Sequence, residues 1–264
     1  MRVQKLSSNR SFIYHLLRRS ARFHVPIMAT ARIDITDTLA RIERDRAKGR
    51  SVGLVALFIK ATAMTLAEHP RFNERLFHTW WGSPRRVQFD EISCNTVVAR
   101  DGASGEELLI PMVLRQVDTL SVEAIHDRLR QAKQQPLAEM PATTQLAKIS
   151  TLPRWLIRLL HFRFRSSPGF LIEKVGTYGV SALLHQGSGA VATFSPSTQT
   201  SFFPTSIEDQ MVVIDGVPTV RTLLLCSVTA DHYLVDGLDV QRMGLSLKEK
   251  VEQPEVLLGP ESDA

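Results

Sequence analysis

Thr222-Leu223-Leu224-Leu225-Cys226-Ser227-Val228-Thr229-Ala230-Asp231-His232-Tyr233-Leu234-Val235-Asp236-Gly237 is the stretch on which the reading of this chain turns. An apolar run rich in leucine and β-branched residues ends at a histidine, and an Asp-Gly pair four residues later opens a helical pattern over 238–247. The order predicts a buried strand, a short loop and a helix, with His232 at the strand end. A buried strand fixes the backbone at that point while the loop leaves the imidazole free, which suits a general base. Histidine is also the side chain whose ordinary pKa lies nearest neutrality. Asp236 can tie the loop down through its own backbone or through a cation, and Gly237 permits the turn. A lone histidine at a strand end is more often a packing or surface residue, so the surrounding sequence has to carry the catalytic reading.

Working back from that strand, 210–218 and 219–229 pair as a predicted hairpin through Asp215-Gly216, a strong turn signal. A strand is predicted over 175–183 and carries Ser181, which taken alone reads as a buried structural serine. Gly187-Ser188-Gly189-Ala190-Val191-Ala192 has the spacing of a dinucleotide fingerprint, but the Ser/Thr/Pro-rich 193–200 that follows cannot continue as the required helix. Before it, 134–148 holds Pro136 and Pro141 and reads as a linker or crossover loop. The 152–164 segment is an amphipathic basic helix. Its periodicity fits a packed helix with an arginine-rich outer face, the reading adopted here with no membrane contact expected, and it also fits a helix lying on an anionic membrane.

The first half of the chain alternates helices and strands. Phe12, Leu16, Arg19 and Phe23 fall at helical spacing within 8–23, with Ser8 or Asn9 as cap, and Pro26 ends that helix. A strand over 27–35 alternates Ile27, Ala29, Ala31, Ile33 and Ile35 on one side. Thr36-Asp37 opens a helix over 38–48 that Gly49 closes. The 52–69 segment is apolar around most of its circumference and reads as a buried helix ended by Pro70. Two short strands lie within 86–99, a polar hairpin over 101–107 leads to a strand at 108–114, and Ser121 caps a helix running to Lys133 with Glu123 near its start.

Composition bounds the function. The chain has 264 residues, 44% hydrophobic and 22% charged, with a formal net charge of +5. No apolar run approaches the roughly 18 residues of a membrane span. Cys94 and Cys226 lie far apart in strand-like segments with no C-x-x-C pair, which reads as reduced core thiols in a cytoplasmic protein and gives no sign of a metal site. Basic residues cluster before the first acid, Asp34, and again over 154–165. No helix-turn-helix, finger or aromatic-basic platform accompanies them, so nucleic acid is not expected, whereas a phosphate-bearing cofactor suits the same charge. There is no G-x-S-x-G elbow and no cysteine beside a histidine motif, which disfavours a nucleophilic hydrolase.

His232-x-x-x-Asp236-Gly237 after an apolar strand, with Asp231 in front, closely resembles the active-site motif of the dihydrolipoamide acyltransferases of 2-oxo acid dehydrogenase complexes and of chloramphenicol acetyltransferase. The resemblance extends in order and spacing through Val25-Pro26, Asp34-Ile35-Thr36, Phe58-Ile59-Lys60-Ala61, Pro70-Arg71-Phe72-Asn73, the 108–114 strand with Pro111, and Val175-Gly176-Thr177-Tyr178-Gly179-Val180-Ser181. The sequence departs from the family at Thr96, in the longer 102–107 loop, in the basic 152–164 helix and at Tyr233, where an arginine usually follows the histidine.

The resemblance implies an α/β (α+β two-layer sandwich) fold of the chloramphenicol acetyltransferase type, a mixed sheet with helices packed on one side. It implies a single catalytic domain over 1–264, with the linker and basic helix of 134–168 inside it, no lipoyl domain in cis, and a homotrimer. It further implies acyl transfer between coenzyme A and a thiol or other small acceptor, with a lipoyl-bearing protein in trans as one possible partner. His232 would be the general base, Ser181 the donor that stabilises the oxyanion, and Asp236 the residue that holds the loop, against Arg10 or Arg19 of the first helix. The alternative is a catalytically inactive trimeric scaffold or core subunit of a 2-oxo acid dehydrogenase-like complex.

Overall fold

The strand that ends at His232 is Val217–Asp231 (β9), and the rest of the sheet is built around it. A computed structural model describes residues 24–77, 83–101, 107–136, 153–186 and 198–261, together with Tyr14, Leu17, Arg18 and Gly189. β9 pairs antiparallel with Pro26–Asp34 (β1) on one side, Pro26 lying opposite Asp231, and with Ser201–Ile214 (β8) on the other. Beyond β8 come Tyr178–Val180 (β6), Cys94–Asp101 (β4) and Glu107–Leu114 (β5), giving the order β1-β9-β8-β6-β4-β5, with His185–Gln186 (β7) also on β8. β6 runs parallel to both neighbours, so the sheet is mixed, as the resemblance implies. Glu74–Phe77 (β2) and Arg85–Gln88 (β3) form a separate two-stranded sheet.

The alternation expected in the first strand holds. Ile27, Ala29, Ala31 and Ile33 turn inward while Pro26, Met28, Thr30 and Arg32 are exposed, so one face of β1 takes the helices and the other does not. The helices in chain order are Thr36–Ala47 (α1), Leu54–Glu68 (α2), Val122–Gln134 (α3), Arg154–Ser166 (α4), Pro168–Val175 (α5), Gly237–Glu252 (α6) and Pro254–Leu258 (α7). α2, apolar around its circumference, is buried between α3 and α6, and α6 in turn covers β1. Phe58, Ile59 and Leu66 of α2 join Tyr178, Phe202 and Met243 in one core. Each such side chain removed from water contributes about 1.5–3 kcal/mol. The Tyr178 ring meets Phe202 edge-on at 6.2 Å, and its hydroxyl donates to the Ile59 carbonyl at 3.2 Å, which satisfies the polar end of a fully buried residue.

The sequence reading departs from the structure in the second half of the chain. The strand expected over 175–183 is only three residues long, because Pro168 at a helix start leads into α5, which runs to Val175. Gly176 ends that helix at φ +74°, where a Cβ would stand 2.7 Å from the Ser93 carbonyl oxygen. β8 begins at Ser201, nine residues before the expected hairpin strand, and accommodates Pro204 at a register shift between Pro204 and Ser206. The expected first helix lies outside the described residues except for Tyr14, Leu17 and Arg18, as do most of the 134–148 linker and nearly all of the 187–192 segment.

Candidate active site

The last residue of β9, Asp231, anchors the loop that follows. Its side chain is 1% exposed and accepts from His24 Nδ1 at 2.7 Å, Gln199 Nε2 at 2.9 Å and the Tyr233 amide at 3.1 Å. Burial pushes this carboxyl up, but the bonds from His24, Tyr233 and Gln199 outweigh it and hold the group below the ordinary carboxylate range. The buried guanidinium of Arg75 feels the same charge: burial pulls it down, to about 10, while Asp231 pulls it up. In the sequence Asp231 was only the residue in front of the histidine. An acid closing an apolar strand is the available signal that it is a buried anchor, since burying a carboxylate requires partners.

His232 is exposed, directly after this anchor. Its amide donates to the Val25 carbonyl at 2.7 Å, extending the β1–β9 ladder by one step. Its Nδ1 lies 2.9 Å from the Val235 carbonyl oxygen. A carbonyl can only accept, so Nδ1 carries the proton and, in the neutral ring, Nε2 presents a lone pair. That is the tautomer a general base needs.

The bonds of Asp236 are to backbone amides. It is the N-cap of α6, accepting from the Leu238 and Asp239 amides at 3.2 and 3.3 Å, while the Asp239 carboxylate accepts from the Asp236 amide at 3.2 Å, a complete capping box. Arg10 and Arg19 lie outside the described residues. Among the described residues, Arg71 of the Pro70-Arg71-Phe72-Asn73 motif reaches this loop, donating to the Leu234 carbonyl at 3.0 Å and to Asp239 Oδ2 at 2.8 Å. Among the described residues no group of three or more His, Cys, Asp or Glu side chains could hold a metal ion.

Ser181 follows β6, and its amide donates to the Phe202 carbonyl at 2.9 Å. Within one chain it is not beside the histidine. Val180 lies across from Phe202, and the next β8 residue, Phe203, lies across from Ser227, which places Ser181 two strands from β9 and level with Ser227. β6 and β9 run in opposite directions, so His232 lies five residues further on, roughly 16 Å along the sheet and roughly 10 Å across it. A cavity of about 390 Å³ between β1 and α6 is lined by Ile27, Ala31, Val228, Met243, Gly244 and neighbours; neither His232 nor Ser181 borders it. Cys94 and Cys226 are free and buried in the core, and burial pushes both thiols up to about 12.

Comparison with known proteins places this arrangement. At 25% identity over 217 residues, 81% of this chain matches dihydrolipoyllysine-residue acetyltransferase component 4 of the chloroplastic pyruvate dehydrogenase complex of Arabidopsis thaliana. The chain spans about two fifths of the length of the curated relatives it matches. The fold superposes on the cubic core of a pyruvate dehydrogenase multienzyme complex with a TM-score of 0.70 and 19% identity, covering 98% of this chain and 94% of that one. It superposes equally fully, with a TM-score of 0.69 and 19% identity, on the Azotobacter vinelandii dihydrolipoamide acetyltransferase, whose catalytic mechanism has been investigated at a serine, a histidine and an asparagine. With chloramphenicol acetyltransferase the TM-score is 0.51 at 13% identity, over 97% of this chain and 98% of that one, so the fold class expected from the sequence is the one observed. The model of the 2-oxoacid dehydrogenases acyltransferase (catalytic domain) family matches residues 1–146, more than half of the chain, and the chain belongs to that family.

Proposed function

We propose that this chain is an acyltransferase that moves an acyl group between coenzyme A and a thiol, with His232 as the base and Ser181 as the oxyanion donor, in a closed homotrimer. The observation that carries the reading is the bond from His232 Nδ1 to the Val235 carbonyl, which leaves Nε2 able to take a proton. In the forward step Nε2 removes the proton of the attacking thiol as its sulfur adds to the thioester carbonyl. The tetrahedral intermediate carries the charge on oxygen, where the Ser181 hydroxyl donates. Collapse breaks the carbon–sulfur bond to the leaving thiolate, which takes the proton back from the imidazolium. A general base contributes about 10²–10⁴-fold and a single oxyanion donor about 10²–10³-fold.

The separation of His232 and Ser181 within one chain supports a site assembled from two subunits, the base of one facing the serine of the next. The apolar tip of the β8–β9 hairpin, with Met211 and Val213 more than 70% exposed, supports an assembly that covers it. Co-expression of His232→Ala and Ser181→Ala chains tests both points. Each homotrimer lacks one group at every interface, whereas a mixed ring has an interface with both intact. Isolated mixed trimers should recover part of the parental rate of thiol release from acyl-CoA. Recovery no greater than the average of the two impaired mutants rejects the shared site, a His232→Ala rate equal to the parent's rejects the base, and a parent with no thiol release above background favours the scaffold alternative.

A further inference from the structure

The acyl-transfer reading gives α4 no task, yet its sequence is rich in basic and apolar residues and holds no acid. Between Glu139 and Glu173 there is no acidic residue, while Lys148, Arg154, Arg158, Arg163 and Arg165 are all basic. Within the helix Arg154, Arg158, His161 and Arg165 recur at i, i+4, i+7 and i+11, one stripe along its length. The adjacent stripe is Trp155, Leu159 and Phe162. A packed helix with an arginine-rich outer face, the arrangement expected from the sequence, would bury Trp155 and Leu159. They are instead 65% and 57% exposed. The principal neighbour of α4 among the described elements is the short helix α5, where the Arg163 guanidinium lies 4.9 Å from the Phe170 ring centroid.

We propose that α4 docks on an anionic lipid surface, with the Trp155–Leu159 stripe at the boundary of headgroups and acyl chains and the arginine stripe among the lipid phosphates. An exposed aromatic-aliphatic stripe bordered by arginines is the pattern of a helix lying in the plane of a membrane interface. A soluble phosphate compound answers the arginines alone and leaves Trp155 and Leu159 in water, which is why the lipid surface fits better. The contact is peripheral: no helix among the described residues is long and apolar enough to cross a membrane, and the 13 residues of α4 span only about 20 Å. This inference is independent of the chemistry at His232.

The test is co-sedimentation of the full chain with vesicles of phosphatidylcholine alone and of phosphatidylcholine mixed with phosphatidylglycerol. Binding to the anionic vesicles, weakened by added salt, is expected, with little binding to the neutral ones. Arg158→Glu combined with Arg165→Glu should weaken it about 30-fold or more, at roughly fivefold for each arginine near the surface. Trp155→Ser combined with Leu159→Ser should weaken it at least about tenfold, from the apolar area no longer buried. Acyl transfer from a soluble donor should be unchanged in both, which shows that they fold. Absence of binding to anionic vesicles at low salt, equal binding to neutral ones, or undiminished binding by the arginine variant overturns the proposal. So does a change of oligomeric state in the Trp155/Leu159 variant without lipid, since the stripe would then be a contact between copies of the chain.

Discussion

Over its inner half β9 is paired with β1 from Leu223 to Asp231 and also with β8 as far as Thr229; over its outer part, from Val217 to Arg221, β8 is the only strand paired with it among the described residues. The inner half is buried almost throughout and ends in the bonds around Asp231. The outer half of the hairpin carries Met211, Val213, Val217 and Val220, all at least 60% exposed. The outer half alternates and is rich in β-branched residues, whereas the inner half is a near-continuous apolar run. What separates them is the third strand and the helices above it. A two-stranded ribbon is marginal alone in water, and one with an apolar surface is a site for another chain. The inner half therefore belongs to the fold of the single chain, and the outer half is where the proposed trimer would act.

The largest effect should come from the inner end. Asp231→Ala removes the acceptor of His24 and Gln199 and the charge that offsets the burial of Arg75, and should cost roughly 3–5 kcal/mol of stability, as for other broken buried ion pairs. The Asp231 carboxyl is held below its ordinary value, so its contribution is complete above about pH 4 and is lost as the pH falls through the depressed value. Urea titrations of parent and variant should accordingly differ most near neutrality and converge in acid. A gap that stays constant down to low pH would assign the loss to packing instead of charge.

One loop further on, Asp236→Ala should cost about 1 kcal/mol, the usual value of an N-cap, and should loosen the segment that orients His232. Asp236→Asn keeps a cap acceptor and should restore both stability and transfer rate. A stable Asn variant that remains slow would show that the carboxylate charge acts on a cation as well, and would sharpen the role of the loop.

The smallest effect on the single chain belongs to the hairpin tip. Met211→Lys with Val213→Lys should change the stability of the folded chain by no more than about 0.5 kcal/mol, as exposed substitutions do. Sedimentation velocity should nevertheless show the proposed trimer weakened, with activity falling in proportion. If melting drops as far as it does for Asp231→Ala, the two halves of the hairpin are not different in kind and the comparison fails.

Much of this was legible in the sequence because it is local. Period-2 alternation placed β1, the apolar run ending at His232 placed β9, the apolar segment before Pro70 placed α2, the Ser121 cap placed α3, and Asp215-Gly216 marked the hairpin turn, where both residues have positive φ as a type I′ turn requires. The histidine, the Asp-Gly pair and the motifs spaced through the chain identified the family. Tertiary structure alone decided the rest. The partners of Asp231 lie 207 and 32 residues away in sequence, at His24 and Gln199. The distance between His232 and Ser181 follows from the opposite directions of β6 and β9, and the exposure of Trp155 from how the described elements pack around α4. Periodicity reports which side of an element is apolar. It does not report what stands opposite that side, because burial depends on elements that long-range pairing brings together.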